Sequence, residues 1–424
     1  MRPSELIMYP LINKFKDKTI NWLKNPIAVG TFIIIALPPL GVLWFILVGL
    51  FTIIKRLFRG QRVPLNSSSY FYLALIISST VALITLPHLS PYVYIPVPVL
   101  LLGYYGVYLN IFEDVQKKNQ SFHFFGVSLV LGGLYLFFFD QFCNYLNDWG
   151  LKIPYPLDNL TGRALLGIPP TARLYGSAYN PNFASYLLLL AIGIALAYFI
   201  KAFKTKSWSA GLLSLIIIII YWTGILDTGS RSAVITMFVL TEIALLKINW
   251  KVALVTTALV LIKFKTLLQF VPRKGIIDLS YTNRLFIWKN ALKIFWSHPI
   301  FGVTPAGFNI FYMQLTKKYV PHAHDIFLAF FSEYGLLGGG MFLAFSIVMA
   351  IYFVKMVIHP SIRSLSYSNA FLLTLPIILF TGVLDHPLYS PQVALPTVIL
   401  LAFFHRYVKV HHIPLRPTKD GKLD

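Results

Sequence analysis

Apolar residues run through this chain in stretches of about twenty, divided by short polar segments. A membrane-spanning helix needs about 20 consecutive, mostly apolar residues. Such stretches fall at 70–88, 92–111, 122–140, 182–200, 208–226, 232–247, 252–270, 335–357, 369–385 and 392–408, which predicts ten spans. An eleventh stretch, 27–54, is interrupted by Pro38-Pro39. Two adjacent prolines remove two backbone donors and force a bend. Twenty-eight residues are also too few for two full crossings. That stretch is expected to form a helical hairpin bent at the prolines, or a re-entrant segment. The pattern predicts one all-α, polytopic membrane domain over 1–424, with about 10–12 transmembrane helices.

Composition removes the alternatives to a membrane protein. Charged residues make up 12% and hydrophobic residues 57%, and the mean hydropathy is +0.70. An average soluble domain is about 25% charged. The chain is therefore neither a soluble enzyme nor a disordered polymer. Its 36 Lys and Arg against 15 Asp and Glu give +21. In so apolar a chain this excess points to positive-inside loops and anionic lipid rather than to nucleic acid. Lys55, Arg56, Arg59 and Arg62 mark the loop before residue 70 as inside. Lys117-Lys118, then Lys201, Lys204 and Lys206, then Lys247 and Lys251, then Lys355 and Arg363 mark alternate later loops as inside. The basic segments at both ends place both termini in the cytoplasm. Residues 1–26 are polar and basic and no cleavage site follows Ile27, so no cleavable signal is expected. The single cysteine, Cys143, makes no internal disulfide.

This topology leaves two long segments outside, 141–181 and 271–323. Nucleotide cofactors are not supplied there, and neither GxGxxG nor GxxxxGK[ST] occurs. Any reaction must start from an already activated substrate. Metal chemistry is poorly supported. The acids form no D-x-D pair and the histidines no HExxH. His322 and His324 are two apart, and a zinc site built on them would need a third ligand that the neighbouring sequence does not offer.

The outer segments instead gather arginines: Arg163, Arg173, Arg231, Arg273 and Arg284. Arg231 stands in the turn Gly229-Ser230-Arg231-Ser232-Ala233. Arginine at membrane depth usually faces an interior site, although it can also snorkel to lipid headgroups. Residues 282–297 read as an amphipathic helix. Arg284, Trp288, Ala291 and Phe295 share a stripe with Ile287 beside it, while Lys289 and Lys293 lie opposite, with Asn290 nearby. Arg284 thus projects from the apolar face and must find an anion. One reading is a structural pair with an acid such as Asp278 or Glu333. The other joins Arg284 to Arg231 as a bidentate fork for a diphosphate.

Three other groups complete the candidate site. His324 opens the helix running to Gly335, where a histidine could take a proton from a sugar hydroxyl or serve only as a helix-start residue. Asp325 would complement that helix's N-terminus, and Glu333 would anchor the Gly335 turn or pair with Arg284. In Tyr179-Asn180-Pro181-Asn182-Phe183-Ala184, Asn182 caps the span or faces a pocket, with capping favoured.

In this order the clusters resemble the O-antigen ligase/polymerase family of membrane glycosyltransferases. The resemblance rests on Pro181-Asn182-Phe183-Ala184, then Gly229-Ser230-Arg231-Ser232, then Arg284, Trp288 and Ala291 running into His298-Pro299-Ile300-Phe301-Gly302-Val303. His324-Asp325-Ile326-Phe327-Leu328 followed by Glu333, Gly335 and Gly338 closes the set. It covers about 175–345. The resemblance implies a GT-C-like helical fold in the bacterial plasma membrane and a glycan donor carried on undecaprenyl diphosphate. The acceptor would be lipid A–core in the ligase branch, or a second lipid-linked glycan in the polymerase branch. By that pattern Arg231 and Arg284 bind the diphosphate and His324 is the general base, with inversion and no cofactor or metal. Ser230, Asn182, Asp325 and Glu333 support them. Asp325 departs from the family's usual Asn after the His. The competing reading is an anion transporter of the same family, for bicarbonate. The long outer loop and the lack of matched inverted halves speak against it.

Overall fold

The computed structural model describes residues 21–86, 95–113, 118–164, 173–263, 277–359 and 367–413, the side chains at 118–119 and 277–280 excepted. Among these residues every regular element is helical. A bent pair, α1 (Pro26–Ala36) and α2 (Pro38–Phe58), leads into α3 (Ser67–Thr85), α4 (Pro96–Glu113) and α5 (Lys118–Asp148). Beyond a single helical turn at Leu157–Leu160 come α6 (Pro181–Lys204), α7 (Trp208–Asp227), α8 (Arg231–Ile248) and α9 (Trp250–Ile262). Two further helices, α10 (Ile277–Ser297) and α11 (Thr304–Thr316), precede α12 (Ile326–Ile358), α13 (Ser368–Gly382) and α14 (Pro391–Val410).

Each of the ten apolar stretches falls on a helix. Among the described residues seven helices are long and apolar enough to cross a membrane, fewer than the ten spans expected: α2, α3, α5, α6, α7, α12 and α14. Three more, α1, α9 and α13, are apolar but shorter. The chain is a multi-pass membrane protein. α8 stands outside the seven because Arg231, Glu242 and Lys247 fall within its 18 residues. α9 ends at Ile262, and the rest of the 252–270 stretch lies outside the described residues, as does Arg273. At Pro38 the chain doubles back. Gly30 lies against Trp44 and Phe45, and Gly41 against Ile34, so α1 and α2 run antiparallel. α2 alone has 21 residues, enough for one crossing.

α6 is the central post. It is apolar on every side and buried from Phe183 to Ala197, as expected of a helix enclosed by others. α5, α7, α8 and α13 pack around it. Outward faces of α2, α7 and α9 expose Leu47, Leu212 and Leu254, surface that hydrocarbon would cover.

α12 is two helices in one run. At Gly335 the backbone takes φ 66° and ψ −164°, a region open essentially to glycine alone. The break frees amides and carbonyls, and the segment after α10 takes them up. Val303 N donates to Ser332 O at 3.1 Å, Leu336 N to Pro299 O at 2.7 Å and Leu337 N to Ile300 O at 3.1 Å. A side chain on Gly335 would also collide with the Ile300 carbonyl. Gly335→Ala is therefore expected to destabilise the protein by about 1–3 kcal/mol or more. The check is the thermal unfolding midpoint in detergent; an unchanged midpoint would contradict the clasp.

Candidate functional site

Four segments meet where α6 begins: the turn before it, the 228–231 turn, residues 322–325, and the 383–390 turn between α13 and α14. Asp385 ties them together. Its Oδ1 faces His324 Nδ1 at 2.9 Å and accepts from the His386 amide at 2.8 Å, and its Oδ2 accepts from Asn182 Nδ2 at 2.8 Å. Asn182 Oδ1 in turn accepts from Arg173 Nη2 at 2.9 Å, and Arg173 Nε donates to Thr228 O at 2.6 Å. Gly229, at φ 63°, lets the following turn close over the Arg173 side chain. One line of hydrogen bonds thus runs from His324 to the turn that carries Arg231.

Burial alone would raise the Asp385 carboxyl. The hydrogen bond from His324, the pull of the neighbouring imidazoles and the bond from the His386 amide outweigh it and hold the group well below the usual carboxylate range. An ionised Asp385 fixes the proton of His324 on Nδ1. The Nε2 lone pair is then left for another proton, on a side chain that is 27% exposed. This is the acid–His arrangement of a general base.

Arg284 completes the cluster. Burial lowers its pKa, Asp385 opposes that shift, and Arg231 adds to it. The Arg284 guanidinium thus feels the charge of both Arg231 and Asp385, while Asp385 is already engaged by His324 and Asn182. Two arginines held together with one committed carboxylate leave a positive site suited to an anion of more than one charge.

Several residues stand differently from the sequence expectation. Asn180, not Asn182, caps α6 through a bond from the Asn182 amide, which frees the Asn182 side chain for Asp385. His324 lies outside the helix at φ 52°, and Asp325 is the cap, accepting from Leu328 N at 2.8 Å. Glu333 does not pair with Arg284. It is fully buried against His386, and the acid that Arg284 feels is Asp385. The Asp278 side chain lies outside the described residues. Asn290, placed near the lysines by the helical wheel, is buried and donates to Phe286 O, whereas Lys289 and Lys293 are exposed. Arg163 is a structural arginine, paired with Asp140 at 2.6 Å. Ser230 is buried at the first turn of α8, its hydroxyl 3.4 Å from that of Ser232.

Asp385 itself was missed, because it reads as the last residue of an apolar span. The available signal was its isolation: no other acid lies between Glu333 and Asp420.

Asp385 also supplies the third ligand that the sequence around His322 and His324 lacks, and the three groups lie within 4.8 Å of one another. Their hydrogen bonds do not fit a zinc ion. His322 Nδ1 accepts from the His324 amide at 3.2 Å, so the proton of the neutral ring sits on Nε2, the atom facing Asp385. Burial and the charges of His324 and His386 keep His322 neutral by lowering its pKa against the pull of Asp385. Purified protein is expected to carry well under one zinc per chain by elemental analysis. Stoichiometric zinc lost on replacing His322 would overturn this assignment.

A family model described as O-antigen ligase matches residues 183–343, a segment that holds Arg231, Arg284, His324 and Glu333. Asn182 lies one residue before the match and Asp385 beyond its end. No curated protein matches the chain.

Proposed function

We propose that this protein, whose residues 183–343 match a family model described as O-antigen ligase, is a membrane glycosyltransferase that moves a glycan from undecaprenyl diphosphate to an acceptor hydroxyl on the outer face of the bacterial plasma membrane. The observation that carries the reading is the Asp385–His324 pair set in one cluster with Arg284 and Arg231. It combines a group that can accept a proton with a cationic cradle for a diphosphate.

The mechanism follows from the roles those atoms can take. The acceptor hydroxyl gives its proton to His324 Nε2 as its oxygen attacks the anomeric carbon. The bond from that carbon to the diphosphate oxygen breaks, and the diphosphate leaves with the electron pair. Arg231 and Arg284 stabilise the charge that develops on it, a task guanidinium performs bidentately at any working pH. Asp385 stabilises the imidazolium that forms. A single displacement from the side opposite the diphosphate inverts the anomeric centre. Asn182 and Arg173 hold Asp385 and the Arg231 turn in register.

The test is transfer by the purified chain in lipid nanodiscs, given an undecaprenyl-diphosphate glycan and lipid A–core, with release of undecaprenyl diphosphate followed alongside. Transfer to lipid A–core identifies the ligase branch. Extension of a second lipid-linked glycan identifies the polymerase branch. Bicarbonate uptake by the reconstituted protein without transfer would overturn the reading.

A further inference from the structure

The 383–390 turn carries two neighbouring side chains aimed at different partners. Asp385 faces His324 and Asn182. His386 faces Glu333 of α12, with 3.5 Å between Nε2 and Oε2. Glu333 is 0% exposed and His386 2%. Neither carboxylate oxygen of Glu333 nor Nδ1 of His386 has a hydrogen-bond partner among the described residues. The two groups line the end of a cavity of about 720 Å³ whose other walls include Phe330, Phe342, Leu388 and Ala394. A carboxyl in such surroundings is costly unless paired, and an apolar side chain of similar size would often be more stabilising. Stability therefore does not account for this pair.

Its placement does. Glu333 is a fixed post, because residues on both sides of it are bound to the 299–303 segment through Ser332 O, Leu336 N and Leu337 N. Gly302, at φ 67°, lies so close that a Cβ there would sit 2.5 Å from the Glu333 carbonyl carbon. His386 is its partner on the eight-residue 383–390 turn. Its amide donates to Asp385 Oδ1 at 2.8 Å, so where the His386 backbone goes, the carboxylate follows. The same two segments are thus joined twice, through His324–Asp385 and through Glu333–His386. Only the first tie is placed to reach reacting atoms.

We propose that Glu333 and His386 are a positioning pair, which holds the 383–390 turn so that Asp385 meets His324 Nδ1. This rests on the transferase reading above. Pinning the base within a fraction of an ångström matters because small misplacements cost large factors in rate.

The test is a double-mutant cycle on transfer by the full-length protein. Glu333→Leu removes the tie, and kcat is expected to fall about tenfold or more, with KM for the lipid-linked donor within about twofold because the arginines are untouched. Glu333→Gln keeps a polar oxygen facing His386 Nε2 and should restore most of the rate. In an Asp385→Ala background Glu333→Leu should cost nothing further, since the tie acts only through Asp385. Additive losses would overturn the proposal, as would a Gln variant as slow as the Leu variant. If Glu333→Leu does not accumulate in the membrane, His386→Phe against His386→Gln gives the same contrast. An active parent with an unaffected Leu variant overturns the pair alone, whereas an inactive parent removes the transferase reading.

Discussion

Asp385→Asn is expected to lower glycan transfer by about 10³–10⁴-fold while leaving the amount of protein in the membrane unchanged, an effect of roughly 4–5.5 kcal/mol on the barrier. The reason lies in the donors around the carboxylate. Oδ1 takes hydrogen bonds from His324 Nδ1 and the His386 amide, and Oδ2 takes one from Asn182 Nδ2. An asparagine has one oxygen and one NH₂ for these places. With its oxygen toward Asn182, its NH₂ faces His324 Nδ1 and forces the proton onto Nε2, which then cannot act as a base. With its NH₂ toward Asn182, two donors oppose each other, and Asn182 cannot turn over because its Oδ1 accepts from Arg173. Either arrangement costs the base or the line that holds the Arg231 turn. Single-turnover transfer with saturating donor measures the loss. A variant within tenfold of the parent would remove Asp385 from the mechanism.

The same geometry sets the form of the pH profile. Asp385 stays ionised far below the working range, and burial keeps His322 neutral. Neither group should therefore gain or lose a proton along the acidic limb of kcat/KM.

The helices were legible as apolar stretches because hydrocarbon imposes a length and a composition that few other environments demand, but among the described residues seven meet that demand against the ten spans expected. Arg284 was legible for a related reason: a guanidinium on the apolar stripe of an amphipathic helix requires an anion, and the carboxylate whose charge it feels is Asp385. What escaped were contacts that depend on which span ends meet. Asp385 lies far along the chain from its partners His324 and Asn182, and no local period encodes that meeting. The Asn180–Asn182 exchange failed for a finer reason. Both are Asn near a helix start, and only the position of Pro181 at the first turn decides that Asn180 is the cap. The Glu333–His386 tie was hidden because Gly335 breaks what the apolar pattern presents as the start of a continuous span.

Removing the proposed base itself requires a variant chosen for its backbone. His324 sits at φ 52°, where an L-residue pays about 1–2 kcal/mol and glycine pays nothing. His324→Ala would add that strain to any loss of chemistry. His324→Gly separates the two, because it relieves the backbone while deleting the imidazole. Transfer is expected to fall by about 10²–10⁴-fold, the usual share of a positioned base, with the unfolding midpoint unchanged or raised. The vacated space beside Asp385 is bounded by the His322 ring, whose centroid lies 4.4 Å from that of His324. Free imidazole should bind there against the carboxylate and restore part of the rate in a concentration-dependent way. In the Asp385→Asn background the Gly substitution should add little, because an aspartate that works through a histidine has nothing left to act on. Full transfer by the Gly variant without imidazole would place the base elsewhere. Rescue that persists equally in the Asp385→Asn background would break the link between the two residues that the 2.9 Å contact implies.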